Sequence, residues 1–151
     1  GSRLARDHLE RRTGFDALMS EEFPDLEVVA SIEGRDDPEL ILKMLPGVFE
    51  AYPDICGIYS SAAGNPGLIR FLESSGPKDN LVVIAHELTP ASRSALASGV
   101  FDAIISQDTG HLVRSAVRLL KATADQAPFD QTQERIRIDI YLRENMPAAK
   151  F

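Results

Sequence analysis

Short apolar runs alternate along the chain with longer segments whose apolar residues recur at helical spacing. The runs are rich in Val, Ile and Ala, and each is followed within a few residues by polar or turn-forming residues. This pattern predicts buried β-strands. The predicted strands cover residues 26–32 (LEVVASI), 56–60 (CGIYS), 81–86 (LVVIAH) and 103–105 (AII).

The segments between these runs have the apolar periodicity of helices. They read RDHLERRTGFDALMSEEF, DDPELILKMLPGVFEAY, NPGLIRFLESSG, TPASRSALASG and TGHLVRSAVRLLKATAD. Two of them are predicted to start with a capping residue followed by proline, at Asn65-Pro66 and at Thr89-Pro90. The pair Pro46-Gly47 predicts that the second helix kinks or ends early.

The tail segment RIRIDIYLRE alternates strictly between isoleucine and polar residues. Ile136, Ile138 and Ile140 share one side, which predicts a half-exposed strand at a sheet edge. Helices alternating with the other strands indicate right-handed βαβ units. We therefore expect an α/β fold with an open parallel sheet flanked by helices, in which 26–32, 56–60 and 81–86 are adjacent and parallel.

Polar residues follow the predicted strands at the points where the strands stop. They are Ser60-Ser61, Gly64-Asn65, His86-Glu87 and Gln107-Asp108. The carboxyl ends of parallel strands meet at one edge of a sheet, and ligands of open α/β sheets bind outside that edge. The sequence therefore predicts a site there.

Composition narrows the class of protein. The chain has 151 residues, 44% of them hydrophobic, which allows one sizeable core and at most two compact units. A formal charge of −7 argues against a nucleic-acid-binding surface. The lone Cys56 cannot form an internal disulfide and is read as a small buried hydrophobe. No apolar stretch is long enough to span a membrane, and the first residues lack a signal-peptide pattern.

Known catalytic and cofactor motifs are missing from the sequence. There is no glycine-rich phosphate loop, no metal-binding spacing of His or Cys, and no nucleophile elbow. We therefore expect no metal, no cofactor and no enzymatic activity. What remains is a set of planar side chains with several hydrogen-bonding atoms each: Arg11, Asn65, Glu87, Gln107 and Asp108. Such groups can hold neighbouring hydroxyls, which suits a sugar or another polyol.

The motifs together resemble the ligand-binding domain of the LacI family of bacterial transcriptional regulators, which is similar to periplasmic sugar-binding proteins of type 1. The family places an arginine three residues before a Gly-aromatic pair, as Arg11 stands before Gly14-Phe15. VVIAHELTP stands at the family's acidic ligand-binding turn, with Glu87 in place of the usual aspartate and His86 in place of an aromatic residue. The remaining matching segments are GIYSSAAGNPGLIRFLESSG, DAIISQD and RIRIDIYLRENMP.

This resemblance implies a partial, three-layer α/β/α domain of a two-lobed protein. Residues 1–87 and 132–151 would belong to the second lobe, and 88–131 would return to the first. The implied ligand-binding residues are Arg11, Asn65, Glu87, Gln107, Asp7 and His86. The implied protein is a cytoplasmic homodimer that binds a carbohydrate-like effector in the cleft, does not bind membranes, and contacts DNA only through a helix-turn-helix domain outside this sequence.

Other interpretations of the same residues stay open at this stage. Asn65 could cap a helix, Arg11 could pair with Asp7 one turn earlier, and Glu87 could complement a helix dipole. Asp108 is expected to cap the helix that follows it, and His111 to be an exposed helix residue. The alternative function is a periplasmic solute-binding protein of a sugar ABC transporter, and an enzyme on an open sheet is the third hypothesis.

Overall fold

The computed structural model describes residues 6–29, 31–76 and 80–148 of the chain. The helices are α1 Arg6–Glu22, α2 Pro38–Ala51, α3 Asn65–Ser75, α4 Pro90–Ser98 and α5 Thr109–Asp125. The strands are β1 Gly57–Ser60, β2 Val82–His86, β3 Ala103–Gln107 and β4 Ile138–Tyr141, and a short 3-10 helix spans Arg143–Asn145.

The four strands of the described residues form one open sheet in the order β1-β2-β3-β4. β1, β2 and β3 are parallel, and β4 runs antiparallel to β3. The α/β fold class is thereby confirmed, as are the strands predicted over 56–60 and 81–86 and the tail strand at the edge. The sheet is mixed because its fourth strand is the tail.

The strand predicted over 26–32 is not found. Residues 26–29, 31 and 32 belong to no strand, and Ala30 lies outside the described residues. Leu26 and Val28 are 47% and 43% exposed. A β-branched run forms a strand only where a neighbour accepts and donates its backbone hydrogen bonds, so propensity alone does not decide this segment.

The predicted early end of the second helix is wrong, since α2 continues through Pro46 to Ala51. A proline in a helix interior removes one hydrogen bond and costs about 3 kcal/mol. Packing offsets this cost: Leu45 is buried, and Phe49 packs against Phe71 of α3 with ring centroids 5.0 Å apart. Tertiary burial therefore keeps the helix intact beyond its proline.

The core lies on one face of the sheet. Val83 and Ala85 of β2 and Ile104 of β3 are almost fully buried and point to this face. They pack with apolar residues of α2, α3 and α4 and of the turn after α4: Leu45, Leu68, Phe71, Ala95, Leu96 and Phe101. The helices α2, α3 and α4 therefore form one layer over the sheet.

α1 lies on the opposite face. Its Phe15 stacks on Tyr59 of β1, with ring centroids 4.6 Å apart. Tyr59 is paired with Ile84, and side chains alternate along β2, so this is the face away from Val83 and Ala85. The fold thus has three layers, with the sheet between α1 on one face and α2, α3 and α4 on the other.

The sequence would place part of the expected dimer contact on the apolar residues Leu68, Ile69 and Leu72 of α3, and the structure does not support this surface. Leu68 is only 3% exposed, and Ile69 and Leu72 pack against the core. A residue of the core cannot form an isologous patch between two copies. Dimerisation itself stays a prediction, without this surface as its basis.

α5 presents most of its apolar stripe to solvent. Val113, Val117 and Leu120 are 59%, 61% and 72% exposed. Its polar side is attached to the segment before β4: Ser115 Oγ donates to Glu134 O, and Arg118 binds the Glu134 carboxylate in a bidentate pair at 2.7 and 2.8 Å. Ile138 and Ile140 of β4 are likewise exposed. Cys56 is exposed as well, so the expectation that it is a buried hydrophobe is wrong.

Close packing of α3 on α2 predicts a strong effect of Gly67→Ala. A Cβ at residue 67 would overlap the carbonyl group of Pro38, which is rigid backbone. We expect the free energy of unfolding to fall by about 1–3 kcal/mol, as in other overpacked sites. Gly47→Ala is the matched control, because a Cβ at that interior position of α2 meets nothing within 4 Å. Urea denaturation should show the control unchanged or more stable.

Candidate functional site

The charged groups predicted from the sequence meet at the carboxyl edge of the sheet. Arg11 of α1 donates from Nη1 to Ser61 O, just after β1, at 2.8 Å. Its Nη2 donates to Glu87 Oε1, just after β2, at 3.2 Å. Ser106 near the end of β3 lies 3.5 Å from the second oxygen of Glu87. The Arg11–Glu87 ion pair therefore connects α1 to the ends of β1, β2 and β3.

Glu87 is held in an unusual backbone conformation. Its φ is 68°, in the left-handed region that a residue with a Cβ rarely adopts. Its N–H donates to Ile105 O at 2.8 Å, and its carbonyl accepts from Ser92 Oγ and from Thr89 N. Thr89 and Ser92 form the capping box that starts α4, as the cap-then-proline pattern predicts. Strained backbone fixed from several sides is characteristic of functional sites.

A hydrogen-bonded aromatic cluster lies next to this pair. Tyr59 Oη and His86 Nε2 share a hydrogen bond of 2.7 Å, and the rings meet edge to face. Burial lowers the pKa of His86 to about 4, helped by the charges of Arg11 and His8. Burial also raises the pKa of the Tyr59 hydroxyl. At neutral pH both groups are therefore uncharged, and because His86 is only 6% exposed they form a largely buried polar cluster beside the Arg11–Glu87 pair.

The buried state of His86 predicts a pH dependence of stability. Its folded pKa of about 4 lies below the ordinary 6.5, so between these values the unfolded chain binds the proton more readily. The contribution of His86 is present in full above pH 6.5 and is lost as pH falls towards 4. After allowance for partial hydration, we expect a loss on the order of 2 kcal/mol.

The measurement is thermal unfolding of the wild type and of His86→Gln between pH 4 and 7.5. Glutamine can still accept a hydrogen bond from Tyr59 but does not titrate. The difference between the two proteins isolates His86 from other acid-sensitive groups. The Arg118 pair, for example, holds the pKa of Glu134 at about 2, below its usual 4.5, and acts in a more acidic window. Parallel stability profiles of the two proteins would contradict the assignment.

Asn65 is not the helix cap that the sequence suggests. The N-cap of α3 is Gly64, and Asn65 is the first residue of the helix, only 3% exposed. Its Oδ1 accepts from Ser60 Oγ at 2.7 Å, and its Nδ2 donates to His86 O at 3.0 Å. A glycine at the cap leaves the asparagine free to join the ends of β1 and β2. A ligand-binding role for Asn65 stays a prediction.

The alternative pairing of Arg11 with Asp7 is wrong, because Arg11 reaches across to Glu87 and Ser61. Asp7 itself lies exposed on α1, with its carboxylate 3.7 Å from His8 Nε2.

Gln107 ends β3 and is partly buried beside β4. Asp108 caps α5 by accepting from His111 N at 2.8 Å, as expected.

His111 is partly buried rather than exposed, and its Nε2 is 2.9 Å from Gln133 O.

Sequence reasoning singled out Arg11, Glu87 and His86, which the structure brings together. It missed Tyr59 and Ser106, which contact them. Each missed residue is the next to last residue of its strand. A search that includes the last two residues of each strand, as well as the residues after it, would find both.

The described residues contain neither a metal-binding cluster nor a membrane-spanning helix. Among residues 6–29, 31–76 and 80–148, no group of three or more His, Cys, Asp or Glu side chains is arranged to hold a metal ion. In the same ranges no helix has the length and apolar character needed to cross a membrane.

Comparison with known proteins gives a family and a fold. The family profile of the periplasmic binding protein domain matches residues 1–128. No curated protein sequence matches the chain significantly. The fold is similar to a sugar-binding protein of a sugar ABC transporter from Bacillus halodurans, with a TM-score of 0.77, 22% identity, and coverage of 91% of this chain and 51% of that one.

Two further solved structures are similar in the same way. GanP, a glucose-galactose binding protein from Geobacillus stearothermophilus, has a TM-score of 0.81 at 16% identity over 91% of this chain and 49% of its own. AraP, an arabinose binding protein from the same organism, has a TM-score of 0.78 at 20% identity, and the match covers 95% of this chain and 52% of AraP. The chain therefore spans about half the length of these structures. With the three-layer fold, the carboxyl-edge site and a family match over most of its residues, the chain belongs to the periplasmic binding protein domain family.

Proposed function

We propose that the carboxyl-edge residues form one wall of a carbohydrate-binding cleft. The observation that carries the proposal is the Arg11–Glu87 pair, which joins α1 to the ends of three strands. Arg11 is only 15% exposed and Glu87 39% exposed, so the pair is partly withdrawn from water while its outer side stays accessible. A fixed cation and a fixed anion side by side can donate to one hydroxyl and accept from the next.

The chemistry of the surrounding groups supports a polyol rather than a charged ligand. Arg11 already has a carboxylate partner, so the pair as a whole carries no net charge. Tyr59 and His86 are both uncharged at neutral pH, for the reasons given above. Phe15 and Tyr59 add aromatic surface of the kind that packs against the C–H faces of sugars. The similar proteins GanP and AraP are described as binding glucose, galactose and arabinose.

Of the protein classes considered from the sequence, a solute-binding protein of a sugar transporter is the better supported. The similar structures from Bacillus halodurans and Agrobacterium radiobacter are transporter binding proteins, the latter in complex with D-arabinose. A LacI-type regulator is the second hypothesis, supported by the order of motifs along the chain. It would add a dimer, a helix-turn-helix that binds DNA, and a cytoplasmic location. The residues encoded before Gly1 distinguish the two classes, as a secretion signal or as a helix-turn-helix.

The cleft would be completed by a second lobe. Of the segment 88–131, which the resemblance would return to the other lobe, α4 and β3 share the core and the sheet of β1 and β2, so we assign only α5 to the boundary with the other lobe. The exposed apolar stripe of α5, with Val113, Val117 and Leu120, supports this division because such a stripe normally packs against another element. Closure of two lobes desolvates a ligand and strengthens its hydrogen bonds. Residues 1–151 alone are therefore expected to bind sugar weakly.

The test is calorimetry with D-arabinose, D-galactose, D-glucose and D-ribose on the polypeptide that includes both lobes. We expect a Kd in the micromolar range for at least one of these sugars. Arg11→Ala should weaken binding about ten- to a hundredfold, the effect of losing a charge-assisted hydrogen bond. Arg70→Ala is the matched control, because it removes an exposed arginine that pairs with Glu39 on α2. Equal affinities of the two variants would contradict the proposal.

A further inference from the structure

The His86 ring has a hydrogen-bond partner at one nitrogen and none at the other. Its Nε2 lies 2.7 Å from Tyr59 Oη. Its Nδ1 is shielded from solvent and has no hydrogen-bond partner among the described residues. Because burial lowers the pKa of His86 to about 4, the ring is neutral at neutral pH and carries a single N–H proton. The nitrogen that holds this proton decides which groups of the cluster are satisfied.

The proton has two possible positions, and they differ in the number of unsatisfied donors. On Nδ1, it leaves a buried N–H without an acceptor, while the Tyr59 hydroxyl donates to Nε2. On Nε2, it is donated to Tyr59 Oη, the unpaired Nδ1 is a bare lone pair, and the Tyr59 hydroxyl is free to donate elsewhere. Buried N–H groups without an acceptor are rare in folded proteins, and unsatisfied acceptors are more readily tolerated. The second arrangement is therefore favoured, because it leaves no buried donor unsatisfied.

The residues around the ring offer no acceptor that would reverse this preference. Arg11 and His8 of α1 lie close enough for their charges to act on His86, but the Arg11 guanidinium contains donors only. The Nδ1 of His8 is itself buried and without a hydrogen-bond partner. The Glu87 carboxylate binds Arg11 at 3.2 Å and lies 3.5 Å from Ser106 Oγ. None of these groups accepts a hydrogen bond from His86 Nδ1.

The Tyr59 hydroxyl is held near the carboxyl edge of the sheet. Tyr59 is the next to last residue of β1, and its ring stacks on Phe15 of α1 while His86 meets it edge on. Tyr59 is partly exposed and lines the same cavity as Ser61, whose carbonyl accepts from Arg11. The two neighbouring rings fix the phenol. The hydroxyl proton that His86 does not accept is therefore available to a ligand at this edge.

We propose that Tyr59 is a specificity-determining residue of the carbohydrate site, which donates its hydroxyl proton to one hydroxyl oxygen of the sugar. His86 is the positioning residue, because its Nε2–H binds the phenol oxygen and keeps the Tyr59 proton from pointing at the imidazole. The inference rests on the proposed function and adds a neutral donor to the charged donor Arg11 and the charged acceptor Glu87. A site that hydrogen-bonds a ligand hydroxyl discriminates against the analogue that lacks it, since a polar group is then left unpaired.

The direction of the hydrogen bond is measured by ¹⁵N NMR of the histidine rings in the sugar-free polypeptide that includes both lobes, at neutral pH. The protonated and unprotonated nitrogens of a neutral imidazole have well-separated chemical shifts, and the spectrum of His86→Gln identifies the His86 signals. We expect the Nε2–H form of His86 in at least about tenfold excess. An excess of the Nδ1–H form would overturn the inference and would leave the proposed carbohydrate site unaffected.

Calorimetry on the same polypeptide tests the contact with the sugar. Whichever of D-arabinose, D-galactose, D-glucose and D-ribose binds most tightly is compared with its monodeoxy derivatives. Tyr59→Phe keeps the stacked ring and should lower the affinity for the parent sugar about three- to tenfold. One monodeoxy derivative should bind the wild type more weakly by a similar factor, and it should show no further loss with Tyr59→Phe.

Tyr141→Phe is the matched control, because it removes a phenol hydroxyl of β4 that lies 3.3 Å from Asp139 Oδ2. This control should leave every affinity unchanged. Unchanged affinities of Tyr59→Phe, or the same loss for the parent sugar and for all of its monodeoxy derivatives, would overturn the inference. Absence of binding by the wild type to all four sugars would contradict the proposed function instead, and the NMR measurement would still decide the direction of the hydrogen bond.

Discussion

Replacing Glu87 by glutamine is expected to lower the affinity for sugar about ten- to a hundredfold while the free energy of unfolding changes by less than about 1 kcal/mol. Glutamine has almost the same shape and keeps one oxygen acceptor. It removes the negative charge that faces Arg11 Nη2 at 3.2 Å and Ser106 Oγ at 3.5 Å. The main loss is therefore a charged acceptor at the ligand surface rather than a packing contact.

The size of this effect follows from the strength of charged hydrogen bonds. A hydrogen bond to an ionised group contributes about 1.5–3 kcal/mol, roughly twice as much as a neutral one. The variant also leaves the Arg11 guanidinium without its counter-charge, which changes the net charge of the site from zero to positive. Sugar hydroxyls both donate and accept hydrogen bonds. Loss of the charged acceptor therefore weakens the hydrogen bonds that these hydroxyls donate to the site.

The chain offers a matched control in a second Arg–Glu pair. Glu39 binds Arg70 at 2.6 Å, but its side chain is 73% exposed and far from the strand ends in sequence. Glu39→Gln therefore removes the same charge from the same kind of pair at an exposed position, where ion pairs contribute little. Calorimetry on the two-lobed protein should show the control unchanged. A similar affinity loss in both variants would mean that net charge, and not the position of Glu87, governs binding.

The sequence predicts the central part of the sheet because local signals and packing agree there. Val82 to His86 and Ala103 to Gln107 combine β-branched residues with turn chemistry at their ends, and the core covers them on the face of α2, α3 and α4. The capping box at Thr89 and the glycine that ends α3 at Gly76 act within one turn of chain, so a pattern of a few letters specifies them.

The departures from prediction all depend on partners distant in sequence. Residues 26–29, 31 and 32 have the composition of a strand but pair with no strand of the described chain. Pro46 favours a helix end, but burial of Leu45 and the contact of Phe49 with Phe71 outweigh it. The stripe of α5 predicts a helix correctly, yet periodicity does not say what covers its apolar side. Local pattern gives the type of element, and tertiary contacts decide whether it is completed.

The candidate site shows the same division. Glu87 is found from the sequence by residue type and by its position at a strand end, and Arg11 by residue type and by the resemblance of its motif, an arginine three residues before a Gly-aromatic pair. Their pairing across 76 positions is a property of the fold, which brings α1 to the carboxyl edge. The 2.7 Å contact between Tyr59 and His86 depends on the register of β1 against β2, and a pattern of letters does not contain that register.

Asn65→Ala is expected to lower the free energy of unfolding by about 2–3 kcal/mol. Asn65 is 3% exposed, and both of its polar atoms are engaged, with Ser60 Oγ at 2.7 Å and His86 O at 3.0 Å. Alanine leaves a hydroxyl and a carbonyl near the strand ends without these partners, and each unsatisfied buried group costs about 1–3 kcal/mol. Urea denaturation measures the loss directly.

Asn65→Asp separates a positioning role from a ligand-binding one. Aspartate preserves the size of the side chain and can still accept from Ser60, but when ionised it presents an oxygen instead of an N–H to the carbonyl of His86. If Asn65 joins β1 to β2, both variants should lose stability by similar amounts. Sugar affinity should then fall only about threefold at temperatures where the proteins stay folded, since Glu87 follows His86 and would shift slightly. A variant with wild-type stability and strongly reduced affinity would instead assign Asn65 directly to the ligand. The amide would then contribute to the cleft as Arg11 and Glu87 do, and its two internal hydrogen bonds would have to open when sugar binds.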